Sequence, residues 1–278
     1  MGVRIVTDSV ADLPSDVVAR HGMFVVPLPV LFEGEAGGER MDPDEFYARL
    51  IKSDPLPTTA APNPEQYATV YREIIEAGDE AVVITISEKL SATFSAAERA
   101  ITLAEAEGKV TVVDSTRATM AQGFVAIRAA QAAASGAARS EVAAAAREAI
   151  PHVGFLAAFD TMEYLRRGGR IGAAKALLGS VLRINPLITL QDGLVAPYGR
   201  ARSRSQAIEA LAVYATGFRT VEALAIEHTA CAEDAVSLRE TLAEKFPGVE
   251  IYESRATPVI GTHTGPGLLV LSVLGDPG

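Results

Sequence analysis

The chain has 278 residues, 49% of them hydrophobic, and a formal net charge of −10. This length suits two domains of ordinary size, each with its own hydrophobic core. The negative charge disfavours nucleic acid and anionic membrane surfaces as partners, since both repel an acidic protein. No apolar stretch approaches the roughly 18 residues that cross a bilayer, so we expect no stable membrane insertion.

Cysteine and histidine usage narrows the chemistry further. Cys231 is the single cysteine, which excludes a disulfide within the chain and fits a reducing compartment. The first residues lack the basic and apolar segments of a signal peptide, so we expect a cytoplasmic protein. The four histidines show no metal-ligand spacing, and we expect neither a metal nor a cofactor.

The first half of the sequence alternates short apolar runs with helical patterns. Asp42 and Asn63 each precede a proline, which is typical of a helix amino terminus. Continuous apolar strands separated by helices indicate an α/β domain with a mainly parallel sheet flanked by helices. The predicted strands are 3–6, 24–30, 81–86 and 110–113, and the predicted helices are 14–20, 43–52, 64–77, 92–107, 119–135 and 140–150.

The second half has a different pattern, typical of an α+β domain with antiparallel strands. Asp192-Gly193 separates two apolar runs and predicts a tight hairpin turn. We place the boundary near Ile150-Pro151, which gives domains 1–150 and 151–278. The predicted strands are 153–159, 187–191, 194–197, 221–227, 249–252 and 268–274, and the predicted helices are 205–216 and 232–246.

Small polar residues end three strands of the first half, at Asp8, Ser87 and Asp114. Open parallel sheets bind ligands at the carboxyl ends of their strands, and hydroxyls with helix amino termini suit an anion. The alternative is that these side chains only cap the following turns. Ser91 lies in a similar position at the start of a helix and has the same two interpretations. Thr59 lies in a proline-rich loop, for which the pattern alone favours an ordinary connector.

Basic residues cluster twice in the second half. Arg166, Arg167 and Arg170 surround Gly168-Gly169, a turn that lets the backbone approach a ligand or a second chain closely. Arginine pairs carboxylates and phosphates with two hydrogen bonds, although a solvated basic loop is the alternative. The second set comprises Arg200, Arg202 and Arg204, whose alternation predicts one shared strand face.

His263 lies in the segment 261–267, between threonines and close to three glycines. This composition predicts an exposed, backbone-dense loop that contacts a ligand. Cys231 is interpreted as a small residue at a helix start. The sequence contains no serine-hydrolase elbow, phosphate-binding Gly-Lys loop or dinucleotide fingerprint.

Together these segments resemble the DegV family, in the expected order and over nearly the whole chain. The segment 59–62 departs from the usual Thr-Ser-Gln-Pro of the family. The segment 90–93 departs from the usual Ser-Gly-Thr. The matching segments are 5–9 (Ile-Val-Thr-Asp-Ser), 59–62 (Thr-Ala-Ala-Pro), 90–93 (Leu-Ser-Ala-Thr), 114–115 (Asp-Ser), 120–123 (Met-Ala-Gln-Gly), 164–171 (Tyr-Leu-Arg-Arg-Gly-Gly-Arg-Ile), 185–188 (Asn-Pro-Leu-Ile) and 261–267 (Gly-Thr-His-Thr-Gly-Pro-Gly).

The resemblance implies a two-domain DegV-like fold that holds a long-chain fatty acid between its domains. It implies the binding subunit of a two-component fatty acid kinase, in which a separate ATP-dependent kinase makes an acyl phosphate for phospholipid synthesis. Thr59 and Ser91 would then hydrogen-bond the carboxylate, and Arg170, Arg202 and His263 would surround it. The chain alone would not be an enzyme, and none of its residues would be catalytic.

Two other classes of function remain open from the residues. A stand-alone phosphotransferase or acyl hydrolase would use His263, although the expected nucleotide loop and nucleophile motifs are missing. A regulatory or nucleic-acid-binding protein would have to overcome the strong negative charge.

Overall fold

The computed structural model describes residues 2–178 and 184–278. Strands occur throughout both ranges. They are β1 (Val3–Asp8), β2 (Phe24–Val26), β3 (Val30–Phe32), β4 (Glu35–Ala36), β5 (Thr58–Thr59), β6 (Glu80–Thr85), β7 (Val110–Asp114), β8 (Val153–Ala158), β9 (Asn185–Gln191), β10 (Leu194–Ala201), β11 (Phe218–His228), β12 (Glu250–Arg255) and β13 (Leu269–Pro277).

The α-helices are α1 (Ser15–His21), α2 (Pro43–Lys52), α3 (Pro64–Glu76), α4 (Thr93–Leu103), α5 (Thr119–Ala134), α6 (Arg139–Ala149), α7 (Glu163–Arg167), α8 (Arg204–Thr216), α9 (Ala232–Lys245) and α10 (Pro258–Thr264). Four short 3-10 turns complete the described elements, at Ser9–Ala11, Gly38–Arg40, Ile150–His152 and Gly172–Leu177. Within the described ranges, no helix combines the length and apolar composition needed to span a bilayer.

Helices α2 and α3 begin where the sequence predicts, because side chains cap their amino termini. Asp42 Oδ1 accepts the backbone N–H of Asp44 at 2.9 Å. Asn63 Oδ1 accepts the N–H of Glu65 at 3.0 Å, while Gln66 Oε1 accepts the N–H of Asn63 at 2.8 Å. These bonds satisfy amide groups that a helix end otherwise leaves without partners.

The chain divides into two compact units: Met1–Pro29 with Ala60–Pro151, and Val30–Thr59 with His152–Gly278. They are called the first and second units below. One division follows residue 151, close to the expected boundary, but Val30–Thr59 belongs to the second unit.

The prediction of one extended segment over 24–30 is wrong. Pro27 and Pro29 lie between β2 and β3 and cannot donate a backbone hydrogen bond there.

The first unit contains the predicted parallel sheet, in the order β2-β1-β6-β7. Its buried core includes Val6, Tyr67, Tyr71 and Val83. The strand order reverses between β1 and β6. Such a reversal opens a crevice at the carboxyl ends of the strands, where polar side chains of this unit lie.

The second unit contains a six-stranded sheet in the order β10-β9-β8-β13-β11-β12, antiparallel except for the pair β11 and β12. The predicted hairpin joins β9 to β10. Asp192 and Gly193 have φ values of 49° and 78°, as the favoured two-residue turn requires. A small sheet in the order β4-β3-β5 belongs to the same unit. The mixed α/β fold class is therefore confirmed.

Candidate functional site

A hydroxyl and an imidazole meet in the second unit. Thr59 Oγ1 lies 2.7 Å from His263 Nε2, although 204 positions separate the two residues in the sequence. Thr59 is held in place because β5 pairs with β3, with Thr59 opposite Val30. Both side chains are half-buried. Thr59 is thus part of a strand in a polar site, whereas the sequence pattern favoured an ordinary connector.

His263 belongs to a helix, and the prediction of an exposed loop is wrong. Pro258 is the first residue of α10, and Gly265 ends the helix with φ of 71°. Gly261 is buried, and a Cβ there would approach Tyr47 Oη to 2.7 Å and Phe46 Cε1 to 2.8 Å. The glycine therefore serves close packing of α10 on neighbouring aromatic rings.

The imidazole of His263 is neutral at pH 7. Burial, and to a lesser extent the nearby positive charge of Arg170, lower its pKa to about 4. Nδ1 is buried and has no hydrogen-bond partner in the described part of the chain. A buried N–H without an acceptor is rarer than a buried acceptor without a donor, which favours the proton on Nε2. Nε2 then donates to Thr59 Oγ1, and the hydroxyl hydrogen of Thr59 stays available for a ligand.

A cavity of about 380 Å³ opens beside this pair and brings together three predicted site residues. Thr59, His263 and Arg170 line it, with Arg167 as a second cation. Arg170 is exposed, and its Nη1 donates to the carbonyl of Gly168 at 2.8 Å. The cavity thus combines a hydroxyl, a neutral imidazole and two guanidinium groups, a set that suits a carboxylate or phosphate.

The carbonyl of Gly168 accepts a hydrogen bond from Arg170, and the α-carbon of Gly168 faces the ring of His263. A Cβ at Gly168 would lie 2.5 Å from His263 Nδ1. The Gly168-Gly169 turn was expected to allow close approach of a ligand or a second chain. The structure shows that Gly168 allows close approach of the His263 ring.

Arg202 is not among the described residues that line this cavity. Its side chain is exposed, and its backbone N–H donates to Gln206 Oε1 at 3.0 Å. Arg200 lies in β10, whereas Arg204 is the first residue of α8. The expected strand face shared by Arg200, Arg202 and Arg204 is therefore wrong. Ser203 caps α8 through its side chain, and the strand ends at Ala201.

The segment that follows His263 is braced by residues that the sequence analysis did not select. Thr229 Oγ1 donates to the carbonyl of Gly265 at 2.7 Å and accepts the N–H of Leu268 at 2.8 Å. Arg204 Nη1 donates to the carbonyl of Gly267 at 2.9 Å. Arg204 is thus a structural residue. No local sequence signal marks this brace, because its members come from separate elements.

Cys231 occupies the N-cap position of α9, as the sequence indicated. Its Sγ donates to the carbonyl of Leu268 at 3.1 Å, and burial raises the pKa of the thiol to about 11. The thiolate needed for nucleophilic or redox chemistry is therefore scarce at neutral pH. Among residues 2–178 and 184–278, no three His, Cys, Asp or Glu side chains form a metal-ligand group.

In the first unit, Ser91 lies two positions before α4. Its N–H donates to the carbonyl of Ser87 at 3.2 Å, and its Oγ lies 2.8 Å from Thr93 Oγ1. The N-cap of α4 is Ala92, and no side chain caps the helix. Ser91 is therefore not the helix cap, and the capping interpretation does not account for its hydroxyl. The side chain is half-buried.

The polar ends of the strands mainly hold the turns that follow them. Asp8 is fully buried and accepts the N–H groups of Val10 at 3.0 Å and Ile86 at 2.9 Å. Burial raises the pKa of Asp8 to about 6. Asp114 similarly accepts the N–H of Thr116 at 2.8 Å. The capping interpretation therefore accounts for Asp8 and Asp114, and Asp8 ties the exit of β1 to the exit of β6.

Comparison with known proteins gives consistent matches over the full length. The sequence model described as "Uncharacterised protein, DegV family" matches residues 2–276. A DegV domain-containing protein of Streptomyces coelicolor is 39% identical over 274 residues, which cover 96% of both chains. A solved structure of a DegV family protein from Thermus thermophilus, described by its fatty acid binding, is 34% identical with a TM-score of 0.91, and the match covers 99% of this chain and 100% of that one.

The structure of DegV from Bacillus subtilis, described as a fatty acid binding protein, is 30% identical with a TM-score of 0.85. That match covers 99% of both chains. Agreement in sequence and in three-dimensional structure extends across both units. The chain belongs to the DegV family.

Proposed function

We propose that this protein binds a long-chain fatty acid and presents its carboxylate to a separate ATP-dependent kinase, which converts it to an acyl phosphate. The observation that carries the proposal is the Thr59–His263 pair beside Arg167 and Arg170. Support also comes from the similar proteins of T. thermophilus and B. subtilis, both described as binding fatty acid. In this proposal the protein acts in the cytoplasm and supplies acyl phosphate to phospholipid synthesis.

The binding energy in this proposal comes mostly from the acyl chain. A sixteen-carbon fatty acid offers about 14 methylenes, each contributing ~0.8 kcal/mol when buried. The gross term of roughly 11 kcal/mol is reduced by the freedom that the lipid loses on binding. Tight binding still results if the carboxylate keeps its hydrogen bonds. The location of the acyl chain between the two domains stays a prediction.

The carboxylate is assigned to two hydroxyl donors. We propose that Thr59 and Ser91 each donate a hydrogen bond to it. A buried carboxylate needs such partners, because its desolvation is otherwise costly. The neutral His263 orients Thr59 and does not neutralise the ligand's charge. Arg170 and Arg202 complete the proposed polar surround, and their exposure leaves them accessible to a partner protein.

Acyl hydrolysis is the second candidate, because a hydroxyl 2.7 Å from an imidazole resembles a nucleophile and its base. Two observations weigh against it. Nδ1 of His263 has no carboxylate partner in the described residues, and a pKa of about 4 makes the imidazole a weak base. Incubation of the isolated chain with a long-chain acyl ester tests this alternative. Turnover that is lost in Thr59→Ala would favour the hydrolase.

Removal of either proposed hydroxyl should weaken binding of the lipid. Ser91→Ala and Thr59→Ala each leave a buried carboxylate without one donor, which costs about 1–3 kcal/mol. Calorimetric titration of delipidated protein with palmitate measures the change in Kd. Ser95→Ala is the matched control, because Ser95 is exposed on α4, four positions after Ser91. Parental affinity in both site variants would remove Thr59 and Ser91 from the site.

The arginines should matter more for phosphoryl transfer than for binding. The fatty acid carries one negative charge, whereas the transition state for acyl phosphate formation spreads charge over several oxygens. We expect Arg170→Ala and Arg202→Ala to retain most of the bound lipid but to lose at least tenfold in acyl phosphate formation with the kinase and ATP.

Arg166→Ala is the matched control for these variants. Arg166 belongs to the same basic segment, but it pairs with Glu163 at 2.6 Å and does not line the described part of the cavity. A loss of lipid retention in proportion to the loss of transfer would show that Arg170 and Arg202 are ordinary lipid ligands.

A further inference from the structure

The side chain behind Ser91 belongs to Thr93, the first residue of α4. Thr93 is fully buried, whereas Ser91 is half-buried. The two hydroxyl oxygens are 2.8 Å apart. Because α4 has no side-chain cap, the Thr93 hydroxyl is not engaged in closing the helix. Within the described part of the chain, the Thr93 hydroxyl has its hydrogen bond with Ser91 Oγ.

Either hydroxyl can be the donor in this pair. A carboxylate only accepts hydrogen bonds, so a Ser91 that binds it must direct its own hydrogen at the ligand. Thr93 must then donate to Ser91 Oγ. The opposite arrangement would commit the Ser91 hydrogen to Thr93 and turn a lone pair of Ser91 towards the anion, which is repulsive.

The same arrangement occurs at Thr59 in the second unit. There His263 Nε2 lies 2.7 Å from the hydroxyl oxygen, and the neutral imidazole donates from that nitrogen. Each of the two hydroxyls thus has a neighbouring polar group that helps it bind an anion only by donating a hydrogen bond to the hydroxyl oxygen. A chain of donors that all point one way polarises its members and strengthens the last bond.

We propose that Thr93 is a positioning residue for the ligand carboxylate: its hydroxyl donates to Ser91 Oγ, so that the Ser91 hydrogen is directed at the carboxylate. The proposal rests on the proposed function, since it requires Ser91 to bind an anion. Threonine suits the role because its branched Cβ restricts χ1, and burial leaves its side chain little freedom.

The test is a double-mutant cycle on palmitate binding, with Thr93→Val and Ser91→Ala alone and combined. Valine keeps the shape of threonine and removes the hydroxyl. We expect Thr93→Val to weaken palmitate binding by roughly threefold to tenfold in the parent. In the Ser91→Ala background the same change should have no further effect, because Thr93 then has no hydroxyl to orient.

Two further variants separate orientation from packing. Thr85→Val is the matched control, since Thr85 is equally buried in the same unit and its hydroxyl has no partner among the described residues. It should bind palmitate as the parent does. Thr93→Ser keeps the hydroxyl and should recover most of the affinity lost in Thr93→Val. This variant also keeps the proposal testable if Thr93→Val folds poorly.

The outcomes distinguish the positioning role from the proposed function. If Ser91→Ala binds palmitate as tightly as the parent, the assignment of Ser91 to the carboxylate fails. If Ser91→Ala weakens binding but Thr93→Val does not, or if the two losses are additive, only the role of Thr93 fails. Loss of affinity in Thr93→Ser equal to that in Thr93→Val would also overturn it, since packing would then be the cause.

Discussion

Replacement of Gly168 by alanine is expected to destabilise the protein by about 1–3 kcal/mol and to weaken fatty acid binding at least tenfold. The new Cβ would lie 2.5 Å from His263 Nδ1 and 3.1 Å from the carbonyl oxygen of Tyr164. Gly168 has φ of −75°, which alanine adopts without strain, so the effect is steric. The ring of His263 must move, and its 2.7 Å contact with Thr59 then breaks.

Gly199→Ala is the matched control for this substitution. A Cβ added at Gly199 would have Leu187 Cδ1 as its nearest neighbour, at an ordinary contact distance of 3.9 Å. Thermal unfolding measures stability, and palmitate titration of delipidated protein measures affinity. We expect a lowered Tm and weaker binding in Gly168→Ala alone. If both alanine variants behave as the parent does, the position of the His263 ring does not matter for the site.

The second large effect concerns the pH dependence of stability. The carboxyl of Asp8 has an ordinary pKa of 3.8, which burial raises to about 6 in the folded protein. Between these values the folded state binds more protons than the unfolded state, so Asp8 makes stability fall as pH rises. The contribution of Asp8 to the free energy of unfolding changes by about 3 kcal/mol in total, and most of this change occurs between pH 4 and 6.

Asp8→Asn removes this titration and isolates its contribution. Asparagine offers a single side-chain oxygen, so it loses one of the two bonds to Val10 and Ile86 at every pH. That constant loss does not affect the slope. Urea unfolding of parent and variant from pH 4 to pH 7 gives the difference in free energy of unfolding. We expect the parent's advantage to shrink by up to about 3 kcal/mol across this range.

Comparison with the variant is necessary because His263 changes the pH dependence of stability in the direction opposite to Asp8. Its pKa falls from 6.5 to about 4 on folding, so the folded state binds fewer protons in that window. His263 therefore makes stability rise with pH between 4 and 6.5, and the parent's own curve can be nearly flat. A constant difference between parent and Asp8→Asn would show that the Asp8 carboxyl titrates normally.

Local features of the sequence predicted most of the architecture. Asn63 followed by Pro64 marks the start of α3, and Asp192-Gly193 marks the hairpin, because capping and turn chemistry act within a few residues. The continuous apolar runs of β6 and β7 likewise predicted a parallel sheet, since such strands are buried on both faces.

Features that depend on distant contacts were missed. Gly261 belongs to a helix because α10 packs against Phe46 and Tyr47, and this packing outweighs the poor helix propensity of glycine. For the site, residue types and the family resemblance suggested Thr59 and His263 separately. Their contact was not readable, because no local pattern reports on a pair 204 positions apart.

The assignment of Val30–Thr59 to the second unit has a consequence for synthesis on the ribosome. All residues of the first unit have been made once the chain reaches position 151, but Val30–Thr59 must still wait for the rest of its own unit. The Tyr47 hydroxyl bonds the carbonyl of Ala256 at 3.2 Å, 209 positions later. A chain released early would therefore expose this segment without its core, and Thr59 acquires His263 only after 204 further positions have been made.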